Sequence, residues 1–482
     1  MTDATLAAPP NLAARIGLPL GPLLLLACLL STPPAGLSEA AWAAVGMTLL
    51  MATWWSTEAI PIPATALLPI LLVPALGIDS LAAATSPYAN PTIFLFLGGF
   101  VLGLAMERWN LHRRIALLTL LAVGSQPSRQ IAGFMIATAF LSMWVSNTAT
   151  TIMMLPIGLS VVGLLDANTA PPQRERFATA LLLAIAYAAS LGGIATLIGT
   201  PPNALLAAYL ADSHGIQIGF AQWMLIGLPV ALLMLIATWW WLTRGGFQIA
   251  GHDSDALLRR ELAELGPLSK GERLVAMVFV LTALAWVFQP LIAKQLPGVN
   301  DTSIAIAAAL ALFIIPVDRR QGIQLMNWDS AVRLPWGVLL LFGGGLSLAG
   351  VIRSTGLAEW IAQSLGALSA LPVILIIAVV VLVIIFLTEV TSNTATAAAF
   401  LPLLGALAVA QGMSPELLAI PAAIAASCAF MMPVATPPNA IVFGSGQMRI
   451  QSMIKAGFAL NLIGVVLVTL LGYLLVGLIW SH

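Results

Sequence analysis

A chain of 482 residues that is 60% apolar and only 8% charged, with a mean hydropathy of +1.00, is not a soluble globular protein, in which about a quarter of residues are charged. Continuous apolar runs such as 372–387 exclude a transmembrane β-barrel, whose strands alternate over about ten residues, and leave an all-α polytopic membrane protein. A formal net charge of zero gives no basis for a nucleic-acid partner; the lipid bilayer is the partner that the composition demands.

The N-terminal segment, 1–38, carries the first apolar run at 16–30. Pro19, Pro22 and the following Ser31-Thr32-Pro33-Pro34 favour a first membrane helix over a cleavable leader. Apolar spans follow at 41–56, 62–76 and 92–106, and then a basic stretch at 107–114. Residues 131–165 form one long stretch with Ser146-Asn147-Thr148 at its centre. The span 177–198 runs into Gly199-Thr200-Pro201-Pro202-Asn203, a short helix continues to 211, and 223–242 closes the first half. The polar stretch 244–273 reads as a cytoplasmic linker. The second half supplies spans at 274–292, 304–315 and 336–352, then 372–410 around Ser392-Asn393-Thr394. The span 417–434 leads into Ala435-Thr436-Pro437-Pro438-Asn439, and 453–480 ends the series. Cys28 and Cys428 both lie in apolar runs and read as small buried hydrophobes, not as a disulfide.

The halves, 39–243 and 274–482, are copies. A shift of 246 residues lays Ser146-Asn147-Thr148-Ala149-Thr150 on the five residues from Ser392, and Leu155-Pro156 on Leu401-Pro402. After a short deletion Thr200-Pro201-Pro202-Asn203 falls on Thr436-Pro437-Pro438-Asn439. Basic residues alternate between loops: those with Arg108, Arg113 and Arg114, with Arg259 and Arg260, with Arg319, Arg320 and Arg333, and with Arg449 carry them, whereas 77–91, 211–219 and 411–416 have no Lys or Arg. The positive-inside rule puts the first set and the N-terminus on the cytoplasmic face of the cell (inner) membrane, with the two repeats inverted.

Polar, Pro-broken stretches at membrane depth persist only where they line a cavity or are buried in protein, so the four motifs predict one central site with broken helices at 199–203 and 435–439. Ser-Asn-Thr supplies hydroxyls and a carboxamide just ahead of helix-forming residues, and a helix N-terminus aimed at a cavity offers free N–H groups to an anion. In Thr-Pro-Pro-Asn, Thr200 is placed to cap, and the paired prolines remove N–H partners from carbonyls near Leu197 and Ile198, freeing oxygens for a hard cation. The two carboxylates nearby have open roles. Glu389, aligned with Met143, is either a proton or cation ligand or a hydrogen-bonded structural group; Glu58, in Trp54-Trp55-Ser56-Thr57-Glu58-Ala59-Ile60-Pro61, either fixes a helix junction or serves transport. Enzyme chemistry has no constellation: there is no His-Glu-x-x-His and no P-loop, and His112, His214, His252 and His482 are scattered.

The paired Ser-Asn-Thr and Thr-Pro-Pro-Asn motifs together with the segment from Trp54 to Pro61 resemble the divalent anion/sodium symporter family over nearly the whole chain. The resemblance implies a homodimer of protomers with about eleven transmembrane helices, two re-entrant hairpins at about 125–165 and 371–410, a scaffold domain and a transport domain moving as an elevator. It implies a first sodium site at Ser142, Ser146, Asn147 and the Gly199 carbonyl, and a second at Thr388, Ser392, Asn393 and the Ala435 carbonyl. Asn147, Thr148, Asn393 and Thr394 would meet the substrate carboxylates, with Thr200 and Thr436 close by.

Both Ser-Asn-Thr copies are intact, as in the dicarboxylate carriers that the chain resembles, and that resemblance implies sodium-coupled symport of a C4 dicarboxylate such as succinate, malate or fumarate over a citrate or sulfate carrier of the same family. A sodium-independent exchanger, or a membrane receptor or enzyme that merely binds the anion, are the rival readings. A dianion with no Arg or Lys in its site needs co-transported cations to offset its desolvation, and two matched loops set a minimum of two sodium ions. The body that moves is expected at 131–211 plus 372–444, and the fixed frame at 41–106, 223–242, 274–315 and 336–352.

Overall fold

The computed structural model describes residues 12–165, 170–249, 254–364 and 371–480; His252, His482 and the start of the N-terminal segment lie outside them. The chain opens with α1 (Leu12–Leu30) and α2 (Glu39–Thr57), which pack on each other, followed by short α3 (Ile62–Thr65), α4 (Leu68–Ala75) and α5 (Leu81–Thr85). Prolines punctuate this region: Pro61 precedes α3, Pro69 opens α4, and Pro91 sits at the first position of α6 (Pro91–Arg108), where its missing N–H is not needed.

After α7 (Leu111–Val123) comes the stretch expected to hold a hairpin at about 125–165, and it is two helices. It forms α8 (Pro127–Ser142) and α9 (Asn147–Gly163), with the break at 143–146. Ser146 caps the second of these helices: its side chain accepts from the Ala149 N–H at 3.2 Å. Next come α10 (Pro171–Ile194), α11 (Pro201–His214) and α12 (Phe220–Thr243). α10 ends at Ile194, several residues before the paired prolines, so Pro201 and Pro202 begin a helix and do not break a running one at Leu197 and Ile198.

The linker is not a plain loop, because it holds α13 (Ser254–Glu264). Arg113 reaches Glu261 at 2.5 Å and Arg114 reaches Glu272 at 2.6 Å, fastening the 107–114 joint to the linker. α14 (Lys270–Val287) and α15 (Gln289–Gln295) meet at a 76° bend and lead to α16 (Asp301–Ile314). A small hairpin of β1 (Pro316–Asp318) and β2 (Ile323–Gln324), absent from the sequence expectations, precedes α17 (Trp328–Ala331). The second half ends with α18 (Trp336–Ser354), α19 (Leu357–Ser364), α20 (Val373–Thr388), α21 (Asn393–Ala410), α22 (Glu416–Ala426), α23 (Pro437–Gly444) and α24 (Ile450–Trp480). The shift of 246 carries α8 onto α20 residue for residue and the start of α9 onto the start of α21.

Among the described residues, seven helices are long and apolar enough to cross a membrane, or eight with the bent pair. Length alone falls short of the expected count because 62–75, 147–163, 301–314, 373–388 and 416–426 are shorter apolar helices. α10 is the central post, with 94% of its apolar window buried in protein. Its small residues permit close approach: a side chain at Gly192 would run into the Ala139 backbone of α8. α12, in the stretch expected to belong to the fixed frame, packs on α10 and α24. Trp223 Nε1 donates to the Ile194 carbonyl at 2.9 Å, and a side chain at Gly227 would collide with that same carbonyl. Cys28 and Cys428 are free and buried, as expected.

Candidate functional site

The four motifs converge on one cavity of about 650 Å³. Its walls include Ser146, Asn147, Thr148, Gly199 and Thr200 from the first half and Ser392, Asn393, Thr394, Ala435 and Thr436 from the second. Among the described lining residues there is no Lys, Arg or His, and Glu58 is the one ionisable side chain. The helices α9, α11, α21 and α23 all begin at this wall, so their N-terminal ends, with unpaired N–H groups and positive dipole ends, favour an anion there.

Ser142 and Thr388 do not line the cavity but are fully buried behind it. Ser142 Oγ lies 2.5 Å from Asn147 Oδ1 and 2.7 Å from the Ala189 carbonyl. Thr388 Oγ1 lies 2.8 Å from Asn393 Oδ1 and 3.0 Å from the Ala426 carbonyl. A hydroxyl has one proton and cannot serve two acceptors at once, so each cluster is rich in oxygen and short of positive charge. Such a set of uncharged oxygens suits a hard monovalent cation. Beside the first cluster, Gly193 and Gly199 touch so closely that a Cβ on Gly193 would lie 2.9 Å from Asn147 Oδ1 and 3.0 Å from the Gly199 carbonyl oxygen.

The asparagines of the Thr-Pro-Pro-Asn segments face away from the cavity and hold the unwound chain. Asn203 Nδ2 donates to the Gly193, Ile194 and Thr196 carbonyls at 3.1, 3.3 and 2.7 Å, and Asn439 Nδ2 donates to the Ala429 and Met432 carbonyls, both at 3.1 Å. These bonds take up backbone oxygens that the ended helices leave without partners. Capping is shared unequally. Thr436 accepts from the Asn439 N–H, whereas Thr200 sits at the cap position without that bond, contrary to the sequence expectation; Ser146 caps α9, and Ser392 makes no such bond to α21.

Glu389 resolves in favour of the structural alternative. Its Oε1 accepts from the Phe430 and Met431 N–H groups at 2.7 and 2.9 Å and from Asn461 Nδ2 at 2.7 Å, while Oε2 accepts from the Met432 N–H at 3.0 Å. The carboxylate thus gathers the donors of the unwound 427–436 segment, a role that Met143 cannot fill in the first half. There the Thr196 hydroxyl donates to the Met143 carbonyl at 2.6 Å instead. Glu58 caps α2 in a left-handed conformation, with φ 49°, and lines the cavity, so the helix junction and the site meet in one residue.

Sequence reasoning missed the Ala189 and Ala426 carbonyls, since any residue supplies a carbonyl. It also missed Tyr187 and Asn461, although a lone tyrosine among alanines and a lone amide in an apolar helix were signals available to it.

A family profile described as the sodium:sulfate symporter transmembrane region matches residues 19–480. The chain belongs to this family, the divalent anion/sodium symporters. Relatives in the symporter family include the sodium-dependent dicarboxylate transporter SdcS of Staphylococcus aureus strain USA300, 45% identical over 472 residues, covering 95% of this chain and 90% of SdcS. SdcS of strain NCTC 8325 / PS 47 matches with the same identity and coverage. Two solved transporters share the fold at low identity. The YdaH transporter of Alcanivorax borkumensis superposes with a TM-score of 0.54 at 14% identity, covering 97% of each chain. MtrF of Neisseria gonorrhoeae, from a class of antimetabolite efflux pumps, gives 0.56 at 11% identity over 97% of this chain and 95% of its own. The symporter fold here is therefore all-α and polytopic, as the composition requires.

Proposed function

We propose that the chain is a secondary active transporter of the inner membrane that carries a C4 dicarboxylate such as succinate, malate or fumarate together with at least two sodium ions. The observation that carries this reading is the pairing of a cavity with no cationic side chain among its described lining residues with two matched oxygen clusters behind it. A dianion desolvated there needs counter-charge, and cations held by the clusters supply it. The sodium-dependent dicarboxylate transporter SdcS, at 45% identity, supports the same cation and substrate class.

In this reading Ser142, Ser146, Asn147 and the Gly199 carbonyl hold one sodium ion, and Thr388, Ser392, Asn393 and the Ala435 carbonyl hold the other. Asn147, Thr148, Asn393 and Thr394 meet the substrate, with Thr200 and Thr436 beside it. The protomer works in a homodimer with its N-terminus in the cytoplasm. Inverted repeats are supported by where the equivalent joints attach: Arg113 and Arg114 engage the linker, whereas Arg353 pairs with Asp212 in the last turn of α11, at the start of the stretch 211–219 that has no Lys or Arg. The four motif segments move as one body, now including α12 and α24, against the frame around α6, α16 and α18. Reconstituted protein in empty liposomes tests the function. Succinate uptake driven by an inward sodium gradient is expected; uptake only against internal anion would establish exchange, and no uptake at all would end the transport reading.

A further inference from the structure

A second cavity, of about 250 Å³, opens beside the central one and shares Phe100, Ser146, Thr148 and Pro335 with it. Its remaining wall includes Glu107 on α6 and Arg333 just ahead of α18. The Arg333 segment is held in place from α6: Arg108 donates to Asn327 Oδ1 at 2.6 Å, and Trp109 Nε1 donates to the Leu325 carbonyl at 2.8 Å. Arg333 is exposed, and among the described residues its guanidinium has no hydrogen-bond partner and no ion pair within bonding distance. The central cavity offers a dianion neutral donors only, so Arg333 is the cationic side chain met on leaving it through this opening.

We propose that this vestibule is a second, transient site for the dicarboxylate on the cytoplasmic side, in which Arg333 contacts a substrate carboxylate and Glu107 limits how tightly it is held. The inference rests on the proposed transport of dicarboxylate anions. A cation at the mouth of a low-dielectric opening concentrates anions there and speeds their exchange with the bulk, while the acid opposite keeps the site weak enough to release. The contact is guanidinium to carboxylate, so Arg333→Lys keeps the charge but loses the planar fork.

The test measures sodium-dependent succinate transport in right-side-out and inside-out vesicles, with sodium and substrate on the same side. Arg333→Ala is expected to raise the half-saturating succinate concentration at the cytoplasmic face by about three- to tenfold and to leave the external value within about twofold. Arg333→Lys should give a cytoplasmic value between those of the wild type and Arg333→Ala, and Glu107→Gln should lower the cytoplasmic value. Raising ionic strength should weaken cytoplasmic saturation in the wild type and have less effect in Arg333→Ala. Equal changes on both faces, or none, would overturn the proposal. If Arg333→Ala is not produced in folded form, Glu107→Gln decides: a cytoplasmic value that fails to fall contradicts it. Wild-type vesicles without sodium-dependent succinate transport would defeat the underlying function, an outcome seen before any variant is read.

Discussion

The Tyr187 hydroxyl donates to the Phe430 carbonyl at 2.7 Å, so a helix of the first half holds the unwound segment of the second. The first half has a counterpart in the bond from Trp223 to the Ile194 carbonyl. Each break therefore has a buried aromatic donor, on the last helical carbonyl, Ile194, in the first half and on Phe430 within the unwound segment in the second. Tyr187→Phe keeps the ring and its edge contact with Phe430, whose centroid is 5.2 Å away, and removes the donor. The loss should cost about 1–2 kcal/mol. Melting of the purified protein should fall by a few degrees, and the sodium concentration needed for half-maximal uptake should rise; unchanged values for both would mean that the bond does not position the segment.

Glu389 should be indispensable to the fold but not to the chemistry. Glu389→Ala strands three backbone N–H groups and the Asn461 amide, each worth about 1.5–3 kcal/mol when bonded to a charged group, so little folded protein should be recovered. Glu389→Gln replaces an acceptor by a donor against these N–H groups and should lower the melting temperature markedly. Should Glu389→Gln melt like the wild type and change only the sodium or proton dependence of uptake, the carboxylate would be a transport ligand after all.

Gly193 is predicted to be a restrictive position beside the first cation cluster. Gly193→Ala places a methyl group against Asn147 Oδ1 and the Gly199 carbonyl, where the ion is proposed to bind. Sodium affinity should drop by about tenfold or more, which is at least about 1.4 kcal/mol, with a smaller loss of thermal stability. Ala429 already occupies the matching place in the second half, so Ala429→Gly should change sodium affinity little. Sodium titrations of both variants decide the point, and equal effects would mean that the two clusters are not built as described.

The amides and hydroxyls of the motifs should separate. Asn147→Ala and Asn393→Ala remove the oxygen that Ser142 and Thr388 face, and should abolish uptake. Thr148→Val and Thr394→Val leave both clusters intact and should weaken succinate more than sodium. Equal loss of both affinities in all four variants would reduce the motifs to structural roles.

The proposed boundary between moving body and frame passes between Gly345 on α18 and Ala398 on α21, where a Cβ on Gly345 would lie 3.2 Å from that of Ala398. Disulfides need a Cβ separation of about 3.5–4.5 Å, close to this spacing. Cysteines at both positions, on a background lacking Cys28 and Cys428, should arrest uptake on oxidation and restore it on reduction. Uptake that continues in the oxidised state would favour local gating over motion of a whole body.

Much of this was legible because duplication turns weak signals into paired ones. Ser-Asn-Thr and Thr-Pro-Pro-Asn each occur twice in register, and ten of the twelve residues predicted for the site line one cavity; Ser142 and Thr388 lie directly behind it. The helix starts at Asn147 and Pro201 were announced by their capping residue and prolines. What escaped was set by distance along the chain. The four bonds of Glu389 join residues about forty and seventy positions apart, the Ala189 carbonyl carries no side-chain signature, and the packing of α12 on α10 depends on Gly227, which reads from sequence as any helical glycine. The ends of α10 and α22 were placed too late, because apolar residues continue past Ile194 and Ala426 after hydrogen bonding has passed to Asn203, Asn439 and Glu389.

The central claim is that cations complete an anion site that has no cationic side chain of its own. Equilibrium binding of succinate to the purified protein, measured with sodium and with choline in its place at equal ionic strength, tests it most directly. The account predicts that binding is lost or weakened by more than about a hundredfold without sodium, since two buried negative charges would then face only neutral donors. Succinate affinity that stays the same in choline would contradict it.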